Sequence, residues 1–280
     1  VAVTRDELNV WIKYIYEICG ISLDQTKGYL VETRLAPLLR EAGVSTFAEL
    51  YYRAKSDTTQ RLRRQIIDAI TTNETSFFRD ASPFDLIQHK LVPDLIDRRT
   101  KAGRKPVPIR IWSAACSTGQ EVYSIGIALL TLLGDMRGYD VRILGTDISD
   151  KAVAQASHAY YNKLELDRGM SPDKLRKYFT LEGERWKVRD ELRALATFKT
   201  MNLLEPFTFP LPFDIVFCRN VAIYFTEPDR QRLFRSIRRA MAPDGALIIG
   251  STESITGICP EFESQRYLRS VFYRLRGSTI

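Results

Sequence analysis

The chain has 280 residues, 45% hydrophobic and 27% charged, with a net charge of +7. That is a soluble globular balance, with room for one large domain or for a small domain beside a medium one. Its two histidines, His89 and His158, and four cysteines without CxxC spacing argue against a zinc site or a histidine-based triad.

Cys19, Cys116, Cys218 and Cys259 are expected to be reduced, mostly buried thiols of a cytoplasmic protein. No stretch approaches the ~18 uninterrupted apolar residues of a membrane span. The longest, IGIALLTLLG at 125–134, reads as a buried helix. The opening VAVTRDELNV lacks the basic-then-apolar layout of a signal peptide. Basic clusters lie at RLRR (61–64), RRTKAGRKP (98–106) and DRQRLFRSIRR (229–239). The first and third have helical spacing and the middle one reads as a Gly/Pro-containing linker. Each also fits a solvated face, so nucleic acid and an acidic protein both remain open as partners.

Along the chain, TRDE at 4–7 is a capping box, with Thr4 at the N-cap and Glu7 at N3. Leu8, Trp11, Ile12, Ile15, Ile18 and Cys19 then make one apolar helix face, which Gly20 ends. A second helix is predicted over 29–42, and a third from Thr46, where Glu49 completes another capping box. Leu62, Ile66, Ile67 and Ile70 set a fourth, ending near Thr71 or Thr72. Residues 1–75 therefore read as an all-helical N-terminal domain without evident chemistry, and 76–108 as a linker with a connecting helix. The intervening TTNETSFFRD (71–80) has a plain reading as a capping turn, with Phe77 and Phe78 in the core and Arg79 solvated.

From 109 the pattern changes. Strands are predicted at 109–114, 141–148, 213–220 and 246–252, and helices at 121–133, 151–160 and 228–241. Strands alternating with helices give an α/β fold, a parallel sheet covered on both faces. Residues 161–200 break the rhythm and read as a small β insertion. The closing YLRSVFYRLR (267–276) reads as an antiparallel edge pair.

Ligands of such sheets bind at the carboxyl ends of the strands. The first strand leads into SAACSTGQE (113–121), whose small residues around Gly119 let a ligand approach the backbone, with Glu121 at the helix start. The second ends in GTD, placing Asp147 where it can accept hydrogen bonds from a ribose diol; alone, it fits a strand-end turn equally well. The strand at 213–220 ends in CRN and continues as VAIYF, so Arg219, Asn220 and Tyr224 face the same crevice. The pyrophosphate fingerprint GxGxxG is absent. A ligand with ribose and adenine but no phosphate fits better, S-adenosylmethionine above all, with Asp147 on ribose and Glu121 on the amino end.

TTNETSFFRD, WSAACSTGQEVYSIGIAL, GTDIS, NLLEPF and FDIVFCRNVAIYF, in this order, resemble the chemotaxis-receptor glutamate methyltransferases, the CheR family. The resemblance covers nearly the whole chain. It implies a small helical domain joined to a Rossmann-like, S-adenosylmethionine-dependent methyltransferase domain (109–280) with an inserted β-subdomain. It further implies methylation of glutamates on the cytoplasmic signalling domains of chemoreceptors, S-adenosylhomocysteine as product, and no metal. By motif, Asn73, Thr75 and Arg79 would line the cofactor pocket, with Arg79 orienting the acceptor carboxylate. Asn202 and Leu203 would contact adenine, Arg219 and Asn220 would close the pocket, and Tyr224 would lie beside the sulfonium. Two departures stand out. Gly119-Gln120-Glu121 replaces the family's frequent GEE, and FTLEGERWKV (179–188) is shorter than in members that dock on a receptor's C-terminal pentapeptide, which puts tether binding in question.

The chemistry is consistent with few histidines, because a glutamate with a reference pKa of about 4.3 is ionised at neutral pH and needs no base. Two rival readings fit less well. A nucleic-acid methyltransferase would commonly show [DN]PP[YF] where this chain has RNVAIY, and would offer aromatics for base stacking. A non-catalytic S-adenosylhomocysteine sensor would not need Arg79 and Tyr224 at the methyl. For docking of an acidic receptor helix, Arg61 and Arg64 are candidates, three apart and therefore on one helix face, beside TTNETSFFRD. A solvated face is the alternative for them too.

Overall fold

Thr4 caps the first helix, α1 (Arg5–Cys19), its side chain accepting from the Glu7 N–H while Glu7 bonds back to the cap. The computed structural model describes residues 2–277. Three more helices complete the N-terminal bundle: α2 (Gly28–Ala42), α3 (Phe47–Ser56) and α4 (Arg61–Ile70). Thr46 and Glu49 form the second capping box. The apolar faces close on Trp11, Ile15, Val31, Leu35, Phe47, Leu50 and Ile66, all fully buried.

After TTNETSFFRD come α5 (Ser82–Leu86), a wider turn at Ile87–Leu91, and α6 (Val92–Lys101). The basic run at 98–106 is thus half helix, not all linker. Arg99 forks onto Asp214 and Arg98 pairs with Asp244 at 3.1 Å, pinning α6 to the sheet. The chain then runs β1 (Val107–Ala114), α7 (Gln120–Leu133), β2 (Tyr139–Asp147), α8 (Asp150–His158), β3 (Tyr160–Tyr161), α9 (Lys163–Asp167), α10 (Pro172–Tyr178), β4 (Phe179–Glu182), β5 (Arg185–Val188), α11 (Asp190–Arg193) and β6 (Ala196–Thr200). It ends with β7 (Phe213–Cys218), α12 (Glu227–Ala240), β8 (Met241–Ile249), β9 (Phe262–Tyr267) and β10 (Ser270–Leu275).

Among the described residues, seven strands form the central sheet in the order β6-β2-β1-β7-β8-β10-β9, the first five parallel. The strand order reverses at β1, whose neighbours are β2 and β7, so a crevice opens beyond the ends of β1 and β7. Alternation of side chains splits the core. Ile109, Ile111, Ile215 and Phe217 face α5, α6 and α7, whereas Trp112, Val216, Leu247 and Ile249 face α12.

Several expected boundaries and pairings change. Of the segment 161–200, only β3, β4 and β5 make the separate antiparallel sheet; β6 is the parallel edge strand of the central sheet, paired with β2. Phe198 on β6 covers Gly145 of β2, where a Cβ would lie 2.7 Å from the ring. The last parallel strand begins at Met241, earlier than the predicted 246. The segment 267–276 holds only β10 and the last residue of its antiparallel partner β9, and only β9 is an edge, because β10 also pairs with β8.

Candidate active site

The path of TTNETSFFRD is set from three sides. Arg34 on α2 donates to the Ile70 and Thr71 carbonyls at 2.7 and 2.9 Å and to Thr72 Oγ1 at 3.1 Å, closing the carboxyl end of α4. Phe77 is buried edge-on against Tyr161 and Phe179 of the inserted sheet, with ring centroids 5.0 and 5.6 Å away. Gly169 lies so close that a Cβ there would meet the Phe77 carbonyl at 1.9 Å. Phe78 turns the other way, onto Phe84, while its N–H donates to Ser124 Oγ at 2.9 Å. Phe77 thus anchors the segment in the cluster of the inserted sheet, Phe78 packs against both that cluster and the one under α5 and α7, and Asn73, Thr75 and Arg79 line a cavity of about 210 Å³.

The loop after β1 supplies the floor. Ala115 and Ser117 hold left-handed backbone, with φ of 63° and 50°. The Ser117 N–H donates to Asp147 Oδ2 at 2.8 Å and the Ser149 N–H to Oδ1 at 3.0 Å. Burial pushes the Asp147 carboxyl upward, while the N–H groups of Ser149, Ser117 and Ile148 pull it down. Gly119 has a different role from the one expected. With φ of 95°, its missing Cβ would lie 2.8 Å from the Ala156 Cβ and 3.0 Å from the Tyr161 hydroxyl. It lets α7 pack on α8, and Ala115, Cys116 and Ser117 form the cavity wall instead.

Glu121 stands at the first turn of α7, its Oε1 accepting from Ser113 Oγ and its Oε2 from Arg219 Nη1, both at 2.8 Å. The Arg219 side chain is 2% exposed and reaches Asp80 Oδ2 at 2.8 Å and the Arg79 carbonyl at 2.9 Å. It lines the cavity, held between the carboxylates of Asp80 and Glu121. Asn220 holds φ of 57°, its N–H on Glu253 Oε2 at 2.6 Å. Asn202 Oδ1 accepts from the Leu204 N–H at 3.0 Å, beside buried Leu203. The carbonyl of half-buried Tyr224 accepts from the Ser22 N–H at 2.9 Å.

Asn73, Thr75, Arg79, Glu121, Asp147, Asn202, Leu203, Arg219, Asn220 and Tyr224 therefore all line one cavity. Its other wall has no mark in the sequence. Ile21, Leu23, Leu30 and Arg34 come from the helical bundle, which has a part in the site after all. Ile21 and Leu23 follow α1, where helical periodicity has stopped, so no local signal marks them. Arg61 and Arg64 lie outside. Arg64 borders a neighbouring hollow, 3.6 Å from Asp150; Arg61 is exposed and makes no salt bridge among the described residues. Also among the described residues, no group of three or more His, Cys, Asp or Glu is placed to hold a metal ion, and no helix is long and apolar enough to cross a membrane.

Comparison with known proteins matches residues 6–71 to the all-alpha domain of CheR methyltransferases and residues 73–269 to their SAM binding domain. The chain is 34% identical to chemotaxis protein methyltransferase 1 of Vibrio cholerae, covering 99% of each. It is 36% identical to chemotaxis protein methyltransferase 1 of Pseudomonas aeruginosa, over 94% of this chain and 95% of that one. With the chemotaxis protein methyltransferase of Borreliella burgdorferi the identity is 35%, over 91% and 90%. A helical bundle walling a cavity at the strand ends of a methyltransferase sheet agrees with both matches, and the chain belongs to the CheR methyltransferase family.

Proposed function

We propose that the protein is a chemotaxis methyltransferase that esterifies glutamate side chains of chemoreceptors, acting in the cytoplasm on receptor signalling domains and releasing S-adenosylhomocysteine. The observation that carries this reading is the gathering of two carboxylates, Asp147 and Glu121, with Arg79 around one cavity. The residues present fit S-adenosylmethionine. Asp147 is a buried acceptor at the end of β2, suited to ribose hydroxyls. Glu121 has spare lone pairs for a cationic amino group beyond the two donors it already meets. Ile148, Met201 and Leu203 supply apolar lining of the same cavity for adenine, with Asn202 beside them.

When bound, S-adenosylmethionine supplies a methyl group on a positively charged sulfur. Arg79 holds the acceptor carboxylate through its planar fork, Asn73 and Thr75 bind beside it, and Asn220 and Tyr224 shape the opposite wall. An ionised acceptor needs alignment and no base, so the protein's contribution is positional. The N-terminal bundle keeps water from this side of the cavity with Ile21, Leu23 and Leu30.

The test is incubation with methyl-labelled S-adenosylmethionine and membranes carrying chemoreceptors of the source organism. Label on receptor that is lost in mild alkali is the expected result, since carboxyl esters hydrolyse there; alkali-stable label overturns the reading. Arg79→Ala is expected to slow transfer about tenfold to a hundredfold, the effect of losing charge-assisted hydrogen bonds, with little change in cofactor affinity. Arg79→Lys should restore little of the rate.

Docking of an acidic receptor helix is proposed to use Arg61 and Arg64. The Arg64–Asp150 pair is half-exposed and its separation is 3.6 Å, so it contributes little and leaves Arg64 available. Reversing both to Glu should raise KM for receptor and flatten its salt dependence, as expected for charges screened over about 8 Å at physiological ionic strength. Unchanged kinetics across salt would rule this face out. The inserted sheet ends in a tight Glu182–Arg185 turn, and pentapeptide tether binding is not part of the proposal.

A further inference from the structure

We propose that Asp80 is a positioning residue for methyl transfer: bonded to the buried Arg219, it holds a left-handed turn that aims Arg79 into the cavity. The proposal rests on the role given to Arg79 above, and three observations support it. First, Phe78 and Asp80 both hold left-handed backbone, with φ of 50° and 55°. Residues other than glycine keep that conformation only where their surroundings impose it. Second, one nitrogen of Arg219, Nη2, grips this turn on both sides, reaching Asp80 Oδ2 at 2.8 Å and the Arg79 carbonyl at 2.9 Å. Third, among the described residues the Arg79 side chain is itself only lightly held, by one bond from Nη1 to the Glu74 carbonyl at 3.1 Å. Its aim therefore depends on its backbone.

The other arm of Arg219 is on Glu121, the carboxylate proposed for the amino end of the cofactor. Arg219 follows β7, whose Cys218 pairs in register with Ala114 of β1, so it stands beside the loop that forms the cavity floor. The guanidinium is buried among these partners and joins the two halves of the site: Glu121 on one arm, the Arg79 turn on the other. Asp80 is the member of this set that touches neither ligand. Its side chain is 39% exposed, so replacing it leaves no cavity in the core.

The experiment is a double-mutant cycle of Asp80→Ala and Arg79→Ala, with Asp80→Asn as a second variant that keeps an oxygen for Arg219. Steady-state receptor methylation gives kcat and KM, and calorimetry with S-adenosylhomocysteine gives cofactor affinity. A misplacement of about 1 Å can cost about a hundredfold in rate. Asp80→Ala should accordingly lower kcat about tenfold to a hundredfold, change cofactor affinity less than about threefold, and have no further effect once Arg79 is alanine. Asp80→Asn should retain part of the lost rate. Multiplicative losses in the double variant, or cofactor affinity falling in step with kcat, overturn the proposal while leaving the role of Arg79 standing. An unaltered rate in Arg79→Ala alone overturns both.

Discussion

Asp147→Ala is expected to weaken S-adenosylhomocysteine binding about tenfold to more than a hundredfold, with the chain still folded. The estimate follows from losing hydrogen bonds to a charged acceptor, about 1.5 to 3 kcal/mol. The tertiary structure adds a second consequence. Both carboxylate oxygens already accept backbone N–H groups, those of Ser117 and Ser149. Alanine leaves these donors without their partner and loosens the loop that forms the cavity floor, so a stability loss of about 1–3 kcal/mol should accompany the loss of affinity. Asp147→Asn keeps one oxygen for one N–H and places an amide donor against the other. Calorimetric titration and urea unfolding of both variants check the assignment. Unchanged affinity in the alanine variant would remove Asp147 from the ribose site.

Arg219→Ala is expected to cost about 3–5 kcal/mol of folding stability, the effect of breaking a buried ion pair by deleting one partner. Most of that loss falls on Glu121, whose side chain is 12% exposed and would keep only Ser113 as a side-chain donor. Asp80, at 39% exposed, can recover water and contributes less. Arg219→Lys keeps the charge but cannot serve Glu121, Asp80 and the Arg79 carbonyl at once, and should fall between alanine and the parent. Urea unfolding gives the order. Equal midpoints for parent and alanine variant would show that the cluster contributes nothing to stability.

Much of the fold is legible because its determinants are local. Capping boxes at Thr4 and Thr46 mark helix starts within four residues, and the apolar face of α4 ends where Thr71 begins. Strands β1, β2 and β7 are short apolar runs, and the polar residues that follow each one necessarily lie at the sheet's carboxyl edge. Asp147, Glu121, Arg219 and Tyr224 are therefore assignable to one crevice from the sequence alone.

By itself the sequence determined the alternation of strands and helices, the order of the five motifs, and which side chains meet at the strand ends. These depend on periodicity and on the handed connection of parallel strands, both carried by neighbouring residues. Only the tertiary structure decided that β6 joins the central sheet, that Gly119 serves helix packing, and that Ile21, Leu23 and Arg34 wall the cavity. It alone shows Arg219 fastened to Glu121 and Asp80, 98 and 139 positions away in the chain. Such contacts have no period to read. They form when packed layers bring distant segments within hydrogen-bonding range, and burial then makes an unpaired charge too costly to leave there.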